Sequence, residues 1–230
     1  MRKTLYDLGV SKIKNIVFDI GNVLVGFDSK TVLKKILPES DYLDIYLKKF
    51  VLSDLWLELD KGALSIDEAT KRFIKRITIS QSLNKINQEQ IFKELNYFCE
   101  HFVDAMYIID QNKRLFEHVN KNYPTYILSN FQAVAFQRLT HKYAPFILEA
   151  NGLVISADIN MIKPNAAIYQ YLLKTFKLNA SETLFIDDLC ENIVAATKEG
   201  IQGIVCETPK QVYADLKKYN ISIPNYVQST

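Results

Sequence analysis

Three short β-rich runs stop at polar residues: NIVF (15–18) at Asp19, TYIL (125–128) at Ser129 and Asn130, and TLFI (183–186) at Asp187 and Asp188. A short apolar run that breaks into Gly, Asn, Ser or Asp reads as a buried strand opening into a loop. GLVI (152–155), leading into Ser156 and Asp158, and GIVC (203–206) have the same form. Helical spacing recurs between and after them, over 134–143, 166–176 and 192–199. Strands alternating with helices predict βαβ units and a parallel sheet. In an open parallel sheet the ligand crevice lies outside the carboxyl ends of the strands, so these scattered polar residues are expected to converge.

Between about Asp28 and Asp104 the pattern changes. Apolar residues recur at helical spacing over 30–37, 41–52, 66–77 and 88–102, with no convincing strand run among them. This predicts a helical insertion directly after the first strand, most simply a small α-helical cap standing over the crevice. The expected organisation is a core domain of residues 1–27 and 105–230 with a cap domain of residues 28–104. One more helix is expected over 210–219, followed by a polar end that frays.

With 230 residues, 48% of them hydrophobic, the chain can bury a full core. Its 28 basic and 26 acidic residues are mixed along the chain, so no strong field points to nucleic acid or to an anionic membrane. Three cysteines, Cys99, Cys190 and Cys206, are too few for a disulfide framework and lack zinc-site spacing. The start, MRKTLYDLGVSKIKNIVF, has charged residues where a signal peptide needs an apolar core, and no run approaches the roughly 20 apolar residues of a membrane span. The expectation is a cytoplasmic protein, monomeric or homodimeric.

The chemistry-bearing residues sit at the strand ends. Asp19 would present a carboxylate where the backbone amides of the loop that follows, Gly21 and Asn22, can surround a phosphate. A carboxylate can act as nucleophile in phosphoryl transfer, giving an aspartyl-phosphate that water opens; a lone Asp in that position also serves as a turn former. Ser129 and Asn130 can donate to phosphate oxygens, or cap the next helix. Lys163, in NMIKPNAAIYQ, precedes Pro164 and a helix, from which its ammonium can reach a site bearing phosphate and carboxylate charge. Asp187 and Asp188 repel each other unless they share a cation, and a hard ion with oxygen ligands, Mg²⁺ above all, would offset that. Asn192 can complete such a site by hydrogen bonding.

Taken in order, FDIGNVL, ILSN, IKPNAAIYQ and FIDDLCENI resemble the four signature segments of the haloacid dehalogenase superfamily, and the resemblance spans essentially the whole chain. It implies an α/β fold: a Rossmann-like parallel sheet core with an inserted small α-helical cap domain, as in the subgroup that includes bacterial sugar-phosphate phosphatases. By position, the resemblance makes Asp19 the nucleophile, Ser129 and Asn130 phosphate binders, and Lys163 the group that neutralises nucleophile and phosphoryl charge. Asp188 becomes the metal carboxylate, with Asp19 and the Gly21 carbonyl beside it, and Asp187 and Asn192 support the metal shell. The implied cofactor is Mg²⁺ and the implied substrate a small phosphorylated metabolite such as a sugar phosphate.

One position departs from the pattern. Phosphatases of this superfamily usually carry a second Asp two residues after the nucleophile, as general acid and then base, where this chain has Gly21. General acid–base catalysis is typically worth roughly 10²- to 10⁴-fold. Asp28 could substitute, or simply cap the helix beginning near Lys30. Glu58 and Asp60 could face the substrate near Trp56, or lie on an exposed helix face. Ser65 and Glu68 form a capping-box pattern. His101, His118 and His141 lack mutual metal spacing. Two other readings stand beside the phosphatase: a haloacid dehalogenase, which attacks carbon and needs no metal, and a degenerate binding module that holds ligand and metal without turnover.

Overall fold

In the computed structural model, residues 12–80 and 87–226 are described. Most of the charged amino-terminal segment and the last residues of the polar tail lie outside them. Five parallel strands form the central sheet: β1 (Asn15–Phe18), β4 (Thr125–Ser129), β5 (Gly152–Ile155), β6 (Thr183–Asp187) and β7 (Gln202–Val205), in the order β5-β4-β1-β6-β7. Strand β1 is central, in register with β4 through Ile16↔Thr125 and with β6 through Asn15↔Thr183.

Alternation along the strands sorts the core into two layers. Ile16, Phe18, Ile127, Leu184 and Ile186 face one side, where α6 (Asp110–Asn122) and α11 (Pro209–Lys218) bury Leu115, Phe116, Val212 and Leu216 against them. Val17, Leu128, Val154 and Phe185 face the other, covered by Ile168, Tyr169 and Leu172 of α9 (Ala166–Phe176) and Ile193 and Ala196 of α10 (Cys190–Lys198). Two further helices, α7 (Ala133–Lys142) and the short α8 (Ser156–Ile159), follow β4 and β5. Helix α6 has no counterpart in the sequence reading, because QNKRLFEHVNKN shows only a narrow apolar stripe in a polar run.

The helical insertion holds α1 (Ser29–Ile36), α2 (Leu43–Tyr46), α3 (Asp54–Asp60), α4 (Ile66–Ile79) and α5 (Gln88–His101). The chain enters and leaves it through an antiparallel pair, β2 (Val25–Gly26) and β3 (Tyr107–Ile108), with Val25↔Ile108 and Gly26↔Tyr107 in register. The single helix expected over 41–52 is instead α2 followed by a π-helical stretch, Leu47–Val51, where Leu52 N–H reaches back to Leu47 O at 2.9 Å. Aromatic side chains fill the insertion: Phe73 meets Phe50 at 5.5 Å and Tyr46 at 5.8 Å, and Trp56 meets Phe102 at 5.2 Å, between ring centroids. Ser65 and Glu68 close the expected capping box at the start of α4. Among the described residues, no helix is long and apolar enough to cross a membrane.

The turn after α3 seats the insertion on the core. Gly62, at φ +71°, lies so close to α8 that a Cβ added there would stand 2.6 Å from the Ala157 carbonyl oxygen. Gly200 has a similar φ of +84°, yet its added Cβ would meet only the Ala180 Cβ at 3.4 Å. Both Gly→Ala changes impose left-handed strain of roughly 1–2 kcal/mol, and Gly62→Ala must also displace backbone. In urea denaturation, Gly62→Ala should therefore lower the midpoint clearly further than Gly200→Ala.

Candidate active site

Strand β1 ends by handing one more residue to the sheet: Asp19 N–H donates to Ile186 O at 2.9 Å, which holds the Asp19 backbone at the sheet's edge. The chain then turns tightly. The Ile20 carbonyl accepts from Leu24 and Val25 N–H, both at 2.9 Å, and Asn22 takes φ +51°, a conformation Asn tolerates better than most residues. Asn112 of α6, 1% exposed, donates to Val23 O at 2.7 Å and supports this turn from beneath.

Lys163 occupies the middle of the site, 4% exposed, with its Nζ 3.0 Å from Asp19 Oδ1, 2.6 Å from Asp187 Oδ2 and 3.1 Å from the Leu128 carbonyl. Burial alone would lower its pKa, but the two carboxylates more than offset that and the ammonium is held above its ordinary value. The approach to Asp19 is a charge contact; Oδ1 of Asp19 is buried without an aligned hydrogen-bond donor. Burial pushes the Asp19 carboxyl up to about 7, Lys163 opposing and Asp187 adding.

Asp187 and Asp188 are adjacent but have different work. Asp187 is wholly buried and its oxygens are filled: Oδ1 accepts from Leu189 N–H at 2.8 Å and Asn192 Nδ2 at 2.9 Å, Oδ2 from Asn192 Nδ2 at 3.1 Å and Lys163 Nζ. Asp188 is half-buried, and its Oδ2 accepts from Asn22 Nδ2 at 3.2 Å. Burial, with Asp187 beside it, raises its pKa, the Asn22 hydrogen bond acting against this. Oxygens of Asp19, Asp187 and Asp188 lie within 4.8 Å of one another, the one such metal-type cluster among the described residues. Three carboxyls face a single ammonium here. That surplus of negative charge fits a hard divalent cation, with Asp188 and Asp19 as the carboxylates free to hold it.

Ser129 is buried at the end of β4 beside Asp19. Asn130 does not cap the next helix, whose first flanking residue is Gln132. Its side chain instead clamps the Lys163 backbone, donating to Lys163 O at 3.0 Å and accepting from Lys163 N–H at 2.8 Å. Asn22 is exposed, and its Oδ1 accepts from Phe27 N–H at 2.9 Å, so its side chain ties the Asp19 loop to Asp188.

Above Asp19 and Gly21 is a cavity of about 120 Å³, floored by Ser129 and Asn130. Its walls are apolar: Phe27, Trp56, Phe102, Met106 and Phe131. Asp60 enters it from the end of α3. The exposed-face reading of Asp60 is overturned, since it is 9% exposed. The sequence held the signal: Leu55, Trp56, Leu59 and Asp60 share one face of a helix, and all four are buried. Glu58 is half-buried and outside the cavity, and Asp28 is exposed, its carboxylate capping α1 by accepting from Thr31 N–H at 2.7 Å. Neither touches the site.

Comparison with known proteins agrees with this fold. Residues 13–200 match the family of haloacid dehalogenase-like hydrolases. A D-ribitol-5-phosphate phosphatase of Bacteroides thetaiotaomicron is 27% identical over 197 residues, 83% of this chain and 90% of that protein. A sesquiterpene phosphatase of Aspergillus oryzae is 25% identical over 191 residues, 83% and 88% of the two chains. A haloacid dehalogenase family enzyme of Bacteroides thetaiotaomicron, crystallised with magnesium and inorganic phosphate, superposes with a TM-score of 0.66 at 19% identity, covering 87% of this chain and 99% of that one. With the family match spanning most of the sequence and the site assembled at the carboxyl ends of β1, β4 and β6, this chain belongs to the haloacid dehalogenase-like hydrolases.

Proposed function

We propose that this protein is a magnesium-dependent phosphatase that hydrolyses a small phosphorylated metabolite through an aspartyl-phosphate on Asp19, with residues 28–104 as the cap that shields the reaction. The observation that carries this reading is Lys163, held between Asp19 and Asp187 with Asp188 alongside. A carboxylate is a weak nucleophile toward an anionic phosphate unless their mutual repulsion is neutralised, and the buried ammonium is placed to do so. Ser129 and the backbone amide of Gly21 bind the phosphoryl oxygens, while Asn130 holds Lys163 in position; the expected Asn22 amide is not free for this, because its N–H donates to Val25 O at 2.8 Å within the turn. Mg²⁺, held by Asp19, Asp188 and the Gly21 carbonyl, would supply a Lewis acid for the phosphoryl oxygens. Asp187, its oxygens already filled, orients Lys163 and Asn192.

The relatives act on different alcohols, a sugar alcohol phosphate in one case and a sesquiterpene in the other. Here the space for the leaving group is walled by Phe27, Trp56, Phe102, Met106 and Phe131. A polyol would lose hydrogen bonds to water without replacement, at about 1–3 kcal/mol for each unpaired hydroxyl. These walls favour an alcohol with an apolar carbon skeleton over a sugar. The binding-module reading draws on Gly21 and predicts metal and phosphate binding without turnover.

Phosphate release should be Mg²⁺-dependent and fall below about a thousandth of wild type in Asp19→Asn. Release at the Asp19→Asn level by the wild type, with metal bound, would instead establish the binding module. Asp188→Asn should raise the half-saturating Mg²⁺ concentration by more than about tenfold. Across a substrate panel, kcat/KM for benzyl phosphate should exceed that for ribitol 5-phosphate by at least about tenfold, the equivalent of one unpaired hydroxyl.

A further inference from the structure

Gly21 leaves the phosphatase reading without a proton donor. An alkoxide expelled into an apolar cavity is a poor leaving group unless it is protonated as the ester bond breaks. The place is empty in a strict sense: a Cβ added at Gly21 would meet nothing within 4 Å, so no neighbour has grown in to fill it. One other carboxyl lines the same cavity, Asp60 from the cap.

We propose that Asp60 is the general acid and base of this enzyme, delivered by the cap in place of the residue the core lacks. The inference rests on the phosphatase reading. As an oxygen of Asp19 bonds to phosphorus and the ester P–O bond breaks, the departing oxygen takes the proton of the Asp60 carboxylic acid. The products are the alcohol, the aspartyl-phosphate and an Asp60 carboxylate. That carboxylate then takes a proton from water as the water oxygen bonds to phosphorus and the P–O bond to Asp19 breaks. Inorganic phosphate leaves, and both carboxyls return to their starting states.

Three features fit Asp60 to this task. First, its surroundings favour the protonated form: burial raises the carboxyl well above the usual carboxylate range, the Gln132 amide opposing and the Asp19 charge adding. Cys99 of α5 also senses its charge, and among the described residues no Lys, Arg or His pairs with it. Second, its position is fixed relative to the core. Ser156 Oγ donates to the Asp60 carbonyl oxygen, and the same Oγ accepts from Phe131 N–H at 2.9 Å. One hydroxyl, on a serine that is 0% exposed, thereby locks the end of α3 to the loop after β4 and to the start of α8. Third, a structural role accounts poorly for an acid in this place. It ends α3, where the carbonyl end of a helix disfavours negative charge, and it has no cationic partner among the described residues. The remaining candidates are elsewhere: Asp28 caps α1 in solvent and Glu58 lies outside the cavity.

The test is Asp60→Asn, which matches the protonated acid in shape, assayed on p-nitrophenyl, phenyl and benzyl phosphate. Benzyl phosphate, whose alcohol most needs a proton, should lose about 10²- to 10⁴-fold in kcat/KM, whereas p-nitrophenyl phosphate should lose less than about tenfold. Turnover of p-nitrophenyl phosphate should nevertheless slow, with a burst of p-nitrophenolate, because water attack on the aspartyl-phosphate lacks its base. The thermal midpoint should stay at or above that of the wild type. An equal loss on all three esters, or benzyl phosphate turnover at the wild-type rate, overturns the assignment. Wild-type cleavage of p-nitrophenyl phosphate that disappears in Asp19→Asn tests the phosphatase reading separately. If that cleavage is present and the three esters respond alike to Asp60→Asn, Asp60 alone has been misassigned.

Discussion

Everything at this site is arranged around one buried ammonium. Removing a lysine from water costs several kcal/mol, and the cost is recovered only where opposite charges and acceptors are close and well placed. Lys163 has two carboxylates and the Leu128 carbonyl within 3.1 Å. Those partners come from β1, β4 and β6, so the ion cluster ties together the three central strands at the edge where they end. Asn130 then fixes the lysine backbone from the loop after β4, and Asn192 fixes Asp187 from α10. Removing either acid would leave buried positive charge less compensated, and removing Lys163 would leave two acids facing each other. The cluster is therefore both a structural clasp and the electrostatic setting of Asp19, the nucleophile proposed above.

The second constraint is the contact between insertion and core. The aromatic interior of the insertion continues down to the site, because Trp56 and Phe102 belong both to its packing and to the cavity wall. Phe27 and Phe131 extend the same surface from the core side, with Phe131 stacked against Phe102 at 6.1 Å. Apolar walls lower the polarity of the space above Asp19, which strengthens each charge interaction within it. Farther out, Asp104 pairs with Arg138 of α7 and accepts from Tyr143 at 2.7 Å, joining the return segment of the insertion to the core. This pairing holds the Asp104 carboxyl well below its usual range, the Arg138 hydrogen bond being the chief cause. Cavity shape thus depends on side chains distant in sequence.

Much of this was legible in the sequence because the signals were local. The strands at 15–18 and 152–155 fall where their apolar runs predict, and the polar residues that follow β1, β4 and β6 converge, as a parallel sheet requires. Asp28 shows its capping role in the spacing to α1, as do Ser65 and Glu68 for α4. Long-range commitments were not legible. Asn130 offers the same amide whether it binds phosphate or clamps Lys163, and only the fold brings residue 163 beside it. Ser156 reads as a loop serine, since nothing in the local sequence reveals that residue 60 and residue 131 meet at its hydroxyl. Asp60 is an intermediate case. Its helical phase places it with Leu55, Trp56 and Leu59 on the buried face, whereas its charge points to the exposed one, and the two signals conflict within a single helix.

A single cavity that holds Asp19 and Asp60 has two carboxyls with opposite needs, and their surroundings separate them. Asp19 lies beside a lysine and at the edge of a cluster suited to a cation, so a bound ion favours its ionised, nucleophilic form. Asp60 lies among aromatic rings, at the carbonyl end of a helix, with no cation beside it, and these surroundings favour the neutral acid. Separating two similar groups by environment is how one site can supply both a nucleophile and a proton. Placing the acid on the insertion has a further consequence. The proposed proton donor is in position only while Ser156 holds the end of α3 against the core, so the contact that seats the insertion is also the contact that completes the site.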